Sequence, residues 1–247
     1  MQVKYTENNL VRIIGNEITR QLGAAAWGDL TAGLTVPDAD APPEQLCRFT
    51  RRVMQRFDRL ASPAAAKGIL TQARHGLKHA DFAWARERFL QYNDIDRFAA
   101  VTRQEYLDEL TRVRDSGELF YGQPIDDAVL AFFASQPYLF YGAREGDHIL
   151  AVAIPFRTRA YLAETDERKK RYLACHCPLA RESILQNEGP VSKTLCYCSL
   201  GHTQVFWEAA LDTPLEGEVL GSALGGDLLC RFKLKLPEEV MARYVAR

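Results

Sequence analysis

The sequence TLCYCSLGHTQVFWEAALDTPLEGEVLGSALGGDLLCRFKLKL, residues 194–236, decides the fold that we expect for this chain. Its first residues, 194–198, predict a strand that leads into a helix, because apolar residues then recur at the spacing of a helical face, at Val205, Phe206 and the alanines that follow. Its second half contains two apolar runs, which predict an antiparallel hairpin. A helix beside an antiparallel hairpin is typical of an α+β domain.

The hairpin is predicted from residues 215–220 and 228–236, with a Gly-Gly-Asp sequence at 225–227 near its turn. A second hairpin is predicted around residues 144–147, between aromatic and β-branched runs. Residues 124–135 predict a helix that Pro137 ends. These elements place a small antiparallel sheet in the C-terminal half.

The N-terminal half predicts helices instead. Its apolar residues recur at spacings of three and four, and Ser62-Pro63 has the form of a cap followed by a first-turn proline. The Ala-, Gly- and Pro-rich residues 23–43 predict a loop, and residues 102–105 have the form of a capping box that begins a helix. The predicted helices cover residues 7–22, 46–60, 62–79 and 82–92. We therefore expect a mainly helical region, 1–116, and an α+β region, 117–247, in one continuous fold.

Composition excludes several classes of protein. The chain has 247 residues and a net charge of −1, which gives no electrostatic footprint for nucleic acid or an anionic membrane. Residues 1–7 lack the apolar core of a secretory signal, so we expect a cytoplasmic protein with reduced thiols. We expect a small-molecule ligand, no nucleic-acid partner and no membrane partner, and we leave a homodimer open.

Cysteine is the residue that carries most of the chemistry. Five of the six cysteines lie within residues 171–236, and four of them form two Cys-x-Cys pairs. Thiolates are soft ligands for zinc, copper(I) or iron–sulfur clusters. If the pairs lie on strands, residues i and i+2 face the same side and both thiols can converge. The predicted metal ligands are Cys175, Cys177, Cys196, Cys198 and Cys230.

Two other interpretations of the thiols stay open. They can be buried and reduced parts of the core, or a redox pair such as Cys177 with Cys196. The sixth, Cys47, lies beside a helical apolar stripe and receives no site role, since a lone cysteine there is most often a small buried hydrophobe.

Histidines and aromatic residues complete the candidate site. His176, between two cysteines, and His202, at the start of the predicted helix, are possible additional ligands. His75 and His79 would lie one helical turn apart, but without the glutamate of the zinc-protease motif they favour exposed or core-edge positions. The predicted pocket residues are Tyr197, Phe206 and Trp207, and Phe140 is a further aromatic residue that could belong to the pocket or the core.

The motifs together carry a resemblance. The Cys-Ser-Leu-Gly-His sequence at 198–202, the helix with Phe206 and Trp207, and the Gly-Asp-x-x-Cys-x-Phe sequence at 226–232 resemble the 4-vinyl reductase domain. The added Cys-x-Cys pairs resemble an uncharacterised bacterial family related to that domain and to the L-2-amino-thiazoline-4-carboxylate hydrolase group. The match covers roughly residues 171–237.

The resemblance implies the α+β ligand-binding fold of nitric-oxide-sensing haem domains and Golgi transport-particle subunits, with an apolar pocket. Phenol-sensing relatives hold zinc with three cysteines and a glutamate, and Cys196 and Cys230 match two of those positions. Val219 and Ser222 occupy the other two and cannot serve as ligands. Cys175, Cys177 and Cys198 would have to replace them.

Three functions are therefore expected, and one of them makes the protein an enzyme. The first is small-molecule binding with a cysteine-rich metal site, with zinc as the expected cofactor. The second is a hydrolase that acts on a C–N bond of a cyclic substrate, in which Cys177 or Cys198 is the nucleophile and His176 or His202 the base. The third is a thiol redox or iron–sulfur module.

Overall fold

A computed structural model describes residues 9–245, so the prediction made on residues 1–7 lies outside the described residues. The α+β class is confirmed, because helices dominate the first half and strands appear only from Leu119 onward within that range. The helices are α1 Leu10–Leu22, α2 Ala24–Thr31, α3 Pro43–Leu60, α4 Pro63–Ala73, α5 Ala83–Tyr92, α6 Ile95–Ser116, α7 Asp127–Ser135, α8 Thr158–Ala163, α9 Glu167–Ala174, α10 Tyr197–Leu211 and α11 Glu238–Tyr244. The strands are β1 Leu119–Phe120, β2 Gln123–Pro124, β3 Ala143–Glu145, β4 His148–Val152, β5 Glu216–Gly221 and β6 Arg231–Lys235.

The main sheet has four antiparallel strands in the order β3-β4-β6-β5. Both predicted hairpins are confirmed: β3 pairs with β4 around Gly146 and Asp147, and β5 pairs with β6. Strand β4 pairs with β6, with Ile149 opposite Leu234, and this pairing joins the two hairpins into one sheet. Alternate residues of β6 are buried, which is the period that one covered face requires.

Two groups of buried apolar side chains form the core, and each includes residues from both halves of the chain. The first group lies around α5, α6, α10 and the sheet. The second lies around α1, α3, α4 and the segments that carry the cysteines. Helix α10 contributes to both groups, since Phe206 belongs to the first and Cys198 to the second. The candidate site lies where these two groups meet.

Four local predictions are wrong. Residues 23–43 are not all loop, because α2 forms there and its Trp27 packs against Gly15 of α1. The helix that begins at Pro63 ends at Ala73 instead of His79. Residues 102–105 do not begin a helix; they lie inside α6, which Asp94 caps through Arg97 N. The true cap, Asp94, lies about two turns earlier.

The fourth wrong prediction is the strand at 194–198. Residues 193–196 form a 3₁₀ turn, and α10 follows at Tyr197. Ser192 caps this turn, because its hydroxyl accepts a hydrogen bond from Thr194 N. Within the described residues, no helix is long and apolar enough to cross a membrane.

Candidate functional site

One cavity of about 530 Å³ brings most of the soft donor atoms of the chain together. Five of the six cysteines and three of the five histidines line it. We call the five cysteines the thiol wall: Cys175, Cys177, Cys196, Cys198 and Cys230. We call the aromatic side chains that complete the lining the aromatic wall: Tyr106, Tyr121, Phe140, Tyr141, Phe156 and Phe232. The structure thus places all five predicted cysteines, His176 and His202 in one lining.

The first Cys-x-Cys pair lies just after α9. Cys175 caps this helix through its N–H, which donates to Arg171 O at 3.0 Å, and the chain then leaves the helix in an extended conformation. Cys177 O accepts hydrogen bonds from the N–H groups of Ala180 and Arg181, which turns the chain back. The segment forms no strand, so the argument that residues i and i+2 share a face does not apply. Both thiols reach the cavity because the segment lies along its edge.

His176 also lines the cavity. On a strand it would point to the opposite face from the two neighbouring thiols. Its Nε2 lies 2.8 Å from Ile154 O. A carbonyl only accepts, so Nε2 carries the proton and the neutral ring presents Nδ1 as its acceptor nitrogen. Its ring packs edge-on against Phe156, with centroids 5.4 Å apart. This histidine is therefore held by two contacts to the segment after β4, one through a hydrogen bond and one through ring packing.

The second pair, Cys196 and Cys198, lies at the start of α10. On a helix, residues two apart point in different directions, yet both thiols line the cavity because this end of α10 projects into it. Gly201 fixes that placement. A Cβ at position 201 would overlap the carbonyl oxygen of Thr71, so only glycine lets α10 approach the backbone of α4 this closely.

The fifth cysteine, Cys230, is placed by the loop between β5 and β6. Asp227 organises this loop, since its carboxylate accepts from Ser222 N at 3.1 Å and pairs with Arg231 at 3.0 Å. A Cβ on Gly221 would lie 2.6 Å from the same carboxylate, which explains the glycine there. Ala223 N lies 3.5 Å from Cys230 Sγ. The Gly-Asp-x-x-Cys sequence is therefore a loop that holds one thiol against the cavity.

Val219 and Ser222, at the positions where the resemblance implies zinc ligands, have structural roles instead. Val219 pairs with Phe232 in the sheet. Ser222 is buried, and its hydroxyl accepts from Gly225 N at 3.0 Å.

A left-handed turn after α4 adds a histidine that the sequence interpretation did not place in the site. Arg74, His75 and Gly76 have φ values of 49°, 53° and 80°. Residues other than glycine adopt this region at a cost of roughly 1–3 kcal/mol each. The turn separates the two histidines: His75 lines the cavity, whereas His79 lies outside it with its side chain 55% exposed. The pairing of His75 with His79 on one helical face is therefore wrong.

The imidazoles of the cavity are neutral at pH 7. The rings of His75 and His202 lie 5.3 Å apart. Burial, then the neighbouring His202 and His176, lower the pKa of His75 to about 3. Burial, then His176, lower the pKa of His202 to about 4. Partial desolvation by the cavity wall also lowers the pKa of His176, although this residue keeps exposed surface.

The thiols are neutral as well. Burial, then the neighbouring Cys230, raise the pKa of Cys196 to about 12, and burial raises that of Cys198 to about 12. Burial raises the pKa of Cys175, Cys177 and Cys230 too. All six cysteines of the chain are free thiols. A protonated thiol beside a neutral imidazole is not the activated thiolate that cysteine nucleophiles require.

The donor set matches a soft metal by chemical type but not by its present spacing. Thiolate and imidazole are the ligands of zinc and copper(I). Among residues 9–245, however, no three His, Cys, Asp or Glu side chains form a group that could hold a metal ion. Side-chain rotations would have to bring the donors together.

The aromatic wall differs from the predicted pocket. Phe206 and Trp207 lie in the core, 1% and 0% exposed, and Trp207 Nε1 donates to Tyr141 O at 2.7 Å. Tyr197 packs beside both core groups. None of these three belongs to the described lining of the cavity. They lie on the same helix as Cys198 and His202, but that helix presents only its first turns to the cavity.

Tyr106 and Phe140 form the centre of the aromatic wall. Their rings stack 4.6 Å apart at 11°, and burial raises the pKa of Tyr106. Phe140 has a φ of 68°, a left-handed conformation that turns its ring toward α6. Phe140 is thus one of the aromatic residues that the sequence left open between pocket and core, and it lines the cavity. No local pattern marked Tyr106, because aromatic side chains fill the neighbouring core as well.

We compared the chain with known proteins, and no family model, no curated protein and no solved structure matches it. The likeness to the 4-vinyl reductase domain therefore stays a prediction that rests on the motifs.

Proposed function

We propose that this protein binds a small uncharged molecule in the cavity and a soft metal ion, zinc in the first place, at the thiol wall. The observation that carries the proposal is the convergence of five cysteines and three histidines on one cavity from separate segments of the chain. If the thiols were buried only as parts of the core, nothing would require them to line the same cavity as three imidazoles.

The ligand class follows from the size and charge of the cavity. A volume of about 530 Å³ lies within the usual range for small-molecule sites, roughly 300–1,000 Å³. In the described part of the chain, no Lys, Arg, Asp or Glu lines it. An unpaired charge in such a place would be costly to bury. The cavity therefore favours an apolar, uncharged ligand that contacts the aromatic wall.

Metal binding would use residues of the thiol wall, with His75, His176 and His202 as the available imidazoles. When bound, zinc would supply positive charge that compensates thiolates and would act as a Lewis acid toward a ligand in the cavity. The cysteines would have to lose their protons, so zinc uptake should release protons and weaken in acid. The aromatic wall would orient the organic ligand and exclude water.

The fold of the nitric-oxide-sensing haem domains and Golgi transport-particle subunits is part of the same proposal. A helical half packed on a small antiparallel sheet, with a cavity between them, supports it. Function in the cytoplasm is likewise proposed, since free thiols persist where thiol reductants keep them reduced.

Two observations weigh against the hydrolase. The thiol pKa values are raised and the imidazole pKa values lowered, which is the reverse of a thiolate–imidazolium pair. A carboxylate substrate would also find no cation in the described lining.

Elemental analysis of protein purified under anaerobic conditions tests the proposal, together with thiol titration before and after denaturation. We expect about one zinc per chain and thiols that react only after denaturation or chelation. Iron with visible absorbance would favour the iron–sulfur alternative. Absence of any metal, with no uptake of added zinc, would overturn the metal part of the proposal.

Cys177→Ser separates the metal site from the hydrolase. We expect the variant to lose zinc or stability. A folded variant that keeps its zinc but loses hydrolysis of a cyclic C–N substrate would make the cysteine catalytic instead.

A further inference from the structure

The turn that carries His75 is held from behind by a buried carboxylate. Glu208 of α10 is 3% exposed, and its Oε2 accepts a hydrogen bond from Arg74 Nη2 at 2.6 Å. The Arg74 side chain is itself only 12% exposed. Arg74 directly precedes His75, and both residues have left-handed backbone conformations. The ion pair therefore anchors the residue that starts the strained turn.

The other oxygen of the same carboxylate fixes Glu208 in place. Its Oε1 accepts from Gln204 Nε2 at 2.9 Å and from Leu215 N at 3.0 Å, at the entry to β5. On the outer side, His79 Nε2 lies 3.2 Å from Oε2. The Glu208 side chain is therefore fixed in one position on α10. The same helix carries His202, whose ring faces His75.

We propose that Glu208, acting through Arg74, is a positioning residue that holds His75 in the cavity wall beside His202. The inference rests on the proposed function, in which His75 is an available metal donor. Without the ion pair, a turn of two non-glycine residues in left-handed conformation would relax toward ordinary backbone angles. The His75 ring would then leave its place opposite His202.

Four variants test this role. E208Q removes the charge and keeps the size of the side chain, R74M removes the guanidinium, and the double variant shows whether the two act as one unit. R51M is the matched control, because Arg51 is also a buried arginine, 8% exposed and paired with Glu188, but lies outside the cavity lining.

Two measurements are needed on each variant. The first is zinc affinity, measured by competition with a chromophoric chelator. The second is the position of the His75 imidazole signals in ¹H–¹⁵N correlation spectra of metal-free protein, assigned through H75Q. A purely structural role for Glu208 would change stability and leave these signals in place.

We expect E208Q and R74M each to weaken zinc binding by roughly 10–100-fold, as outer partners of metal-binding histidines do. The His75 signals should shift in both, the double variant should be no weaker than the worse single variant, and R51M should match wild type. If E208Q does not fold, R74M decides. Wild-type zinc affinity and unshifted His75 signals in R74M would overturn the positioning role.

Failure of the proposed function gives a different result. If wild-type protein binds no zinc, the metal proposal falls, and the His75 signals of the metal-free variants decide the positioning role alone: shifted signals support it and unshifted signals overturn it.

Discussion

The two walls of the cavity are built in different ways. The aromatic wall takes Tyr106 from α6 and Phe232 from β6, and its other members from turns between elements. Stacked rings such as Tyr106 on Phe140 hold it together. The thiol wall comes from a segment after α9, a helix start and a hairpin loop. Its residues are positioned by backbone hydrogen bonds and by Asp227 instead of by ring stacking.

The difference indicates that the two walls have different roles in binding. Aromatic rings that stack on one another are stiff and change little when a ligand enters. Thiols on loops can rotate, and their present spacing requires rotation before any metal can bind. We infer a rigid side that selects shape and an adaptable side that supplies donors. Each prediction below tests one side of this comparison or the contact between them.

The largest expected effect is at Gly201, which brings the start of α10 against α4. Because a Cβ there would overlap the backbone oxygen of Thr71, G201A must push two helices apart. Overpacking of this kind costs roughly 1–3 kcal/mol and more where backbone must move. We expect the free energy of unfolding to fall by about 3 kcal/mol or more, measured by urea denaturation.

Gly68 supplies the matched control within α4. A Cβ at Gly68 would meet no atom within 4 Å, so G68A should stabilise the protein by roughly 0.5–1 kcal/mol through helix propensity. Equal effects of the two substitutions would contradict the close contact of α10 with α4.

Per unit of pH, the pH dependence of metal-free protein is the next effect in size. His75 and His202 have folded pKa values of about 3 and 4, below the ordinary 6.5, so the folded state binds fewer protons than the unfolded state. Stability should be complete above pH 6.5 and fall as pH decreases toward 4, by up to about 1.4 kcal/mol per pH unit for each histidine.

The thiols give the alkaline limb of the stability profile, in which the free energy of unfolding falls as pH rises. Cys196 and Cys198 have folded pKa values of about 12, above the ordinary 9, so their contribution is present below pH 9 and is lost as pH rises toward 12. Urea denaturation between pH 4 and 10 measures both limbs. In H75Q/H202Q the acid limb should flatten while the alkaline limb stays, and an unchanged acid limb would contradict the burial of these rings.

One variant in each wall, with two affinities measured on both, tests the walls separately. C230S should weaken zinc binding by roughly 10-fold or more, because it removes a donor. It should leave binding of N-phenyl-1-naphthylamine, a neutral fluorophore, unchanged. F140L removes an aromatic ring from the cavity lining. A ligand ring packed on an aromatic side chain gains about 1 kcal/mol, so F140L should weaken the fluorophore about fivefold with zinc affinity unchanged. If either variant changes both affinities equally, the cavity has no such division.

The two walls also differ in how far the sequence predicted them. The thiol wall was found from Cys-x-Cys spacing and the Gly-Asp-x-x-Cys motif, because cysteine is rare and its clusters are conspicuous. They do not converge by sharing one face of a strand, since Cys196 and Cys198 lie on a helix start. Residue type indicated which side chains would lie together, and local geometry did not indicate how.

Apart from Phe140, which the sequence left open between pocket and core, the aromatic wall and His75 were not predicted, for a physical reason. Aromatic residues are common in both core and cavity, and only tertiary packing decides that Phe206 is buried while Phe140 faces the cavity. The position of His75 depends on a left-handed turn held by Glu208. Arg74 and Glu208 are 134 positions apart, so no local pattern contains this contact. The α+β class and both hairpins, which depend on periodicity and turn residues, were predicted correctly.

The smallest expected effect concerns the loop that presents Cys230. D227N keeps the shape of the side chain but weakens the hydrogen bond to Ser222 N and the ion pair with Arg231, which is half-exposed. A hydrogen bond to a charged acceptor contributes roughly 1.5–3 kcal/mol when buried, and an exposed ion pair little, so we expect a loss of about 1 kcal/mol. The more telling readout is the rate at which Cys230 reacts with a thiol reagent in metal-free C47A protein, with the modified cysteine identified by peptide mass mapping. A loosened loop should expose this thiol while Cys175, held by α9, keeps its rate. R231M removes only the ion pair and should change neither value. If D227N leaves the Cys230 rate unchanged as well, the loop is held by its backbone turn alone, and the thiol wall is as rigid as the aromatic wall.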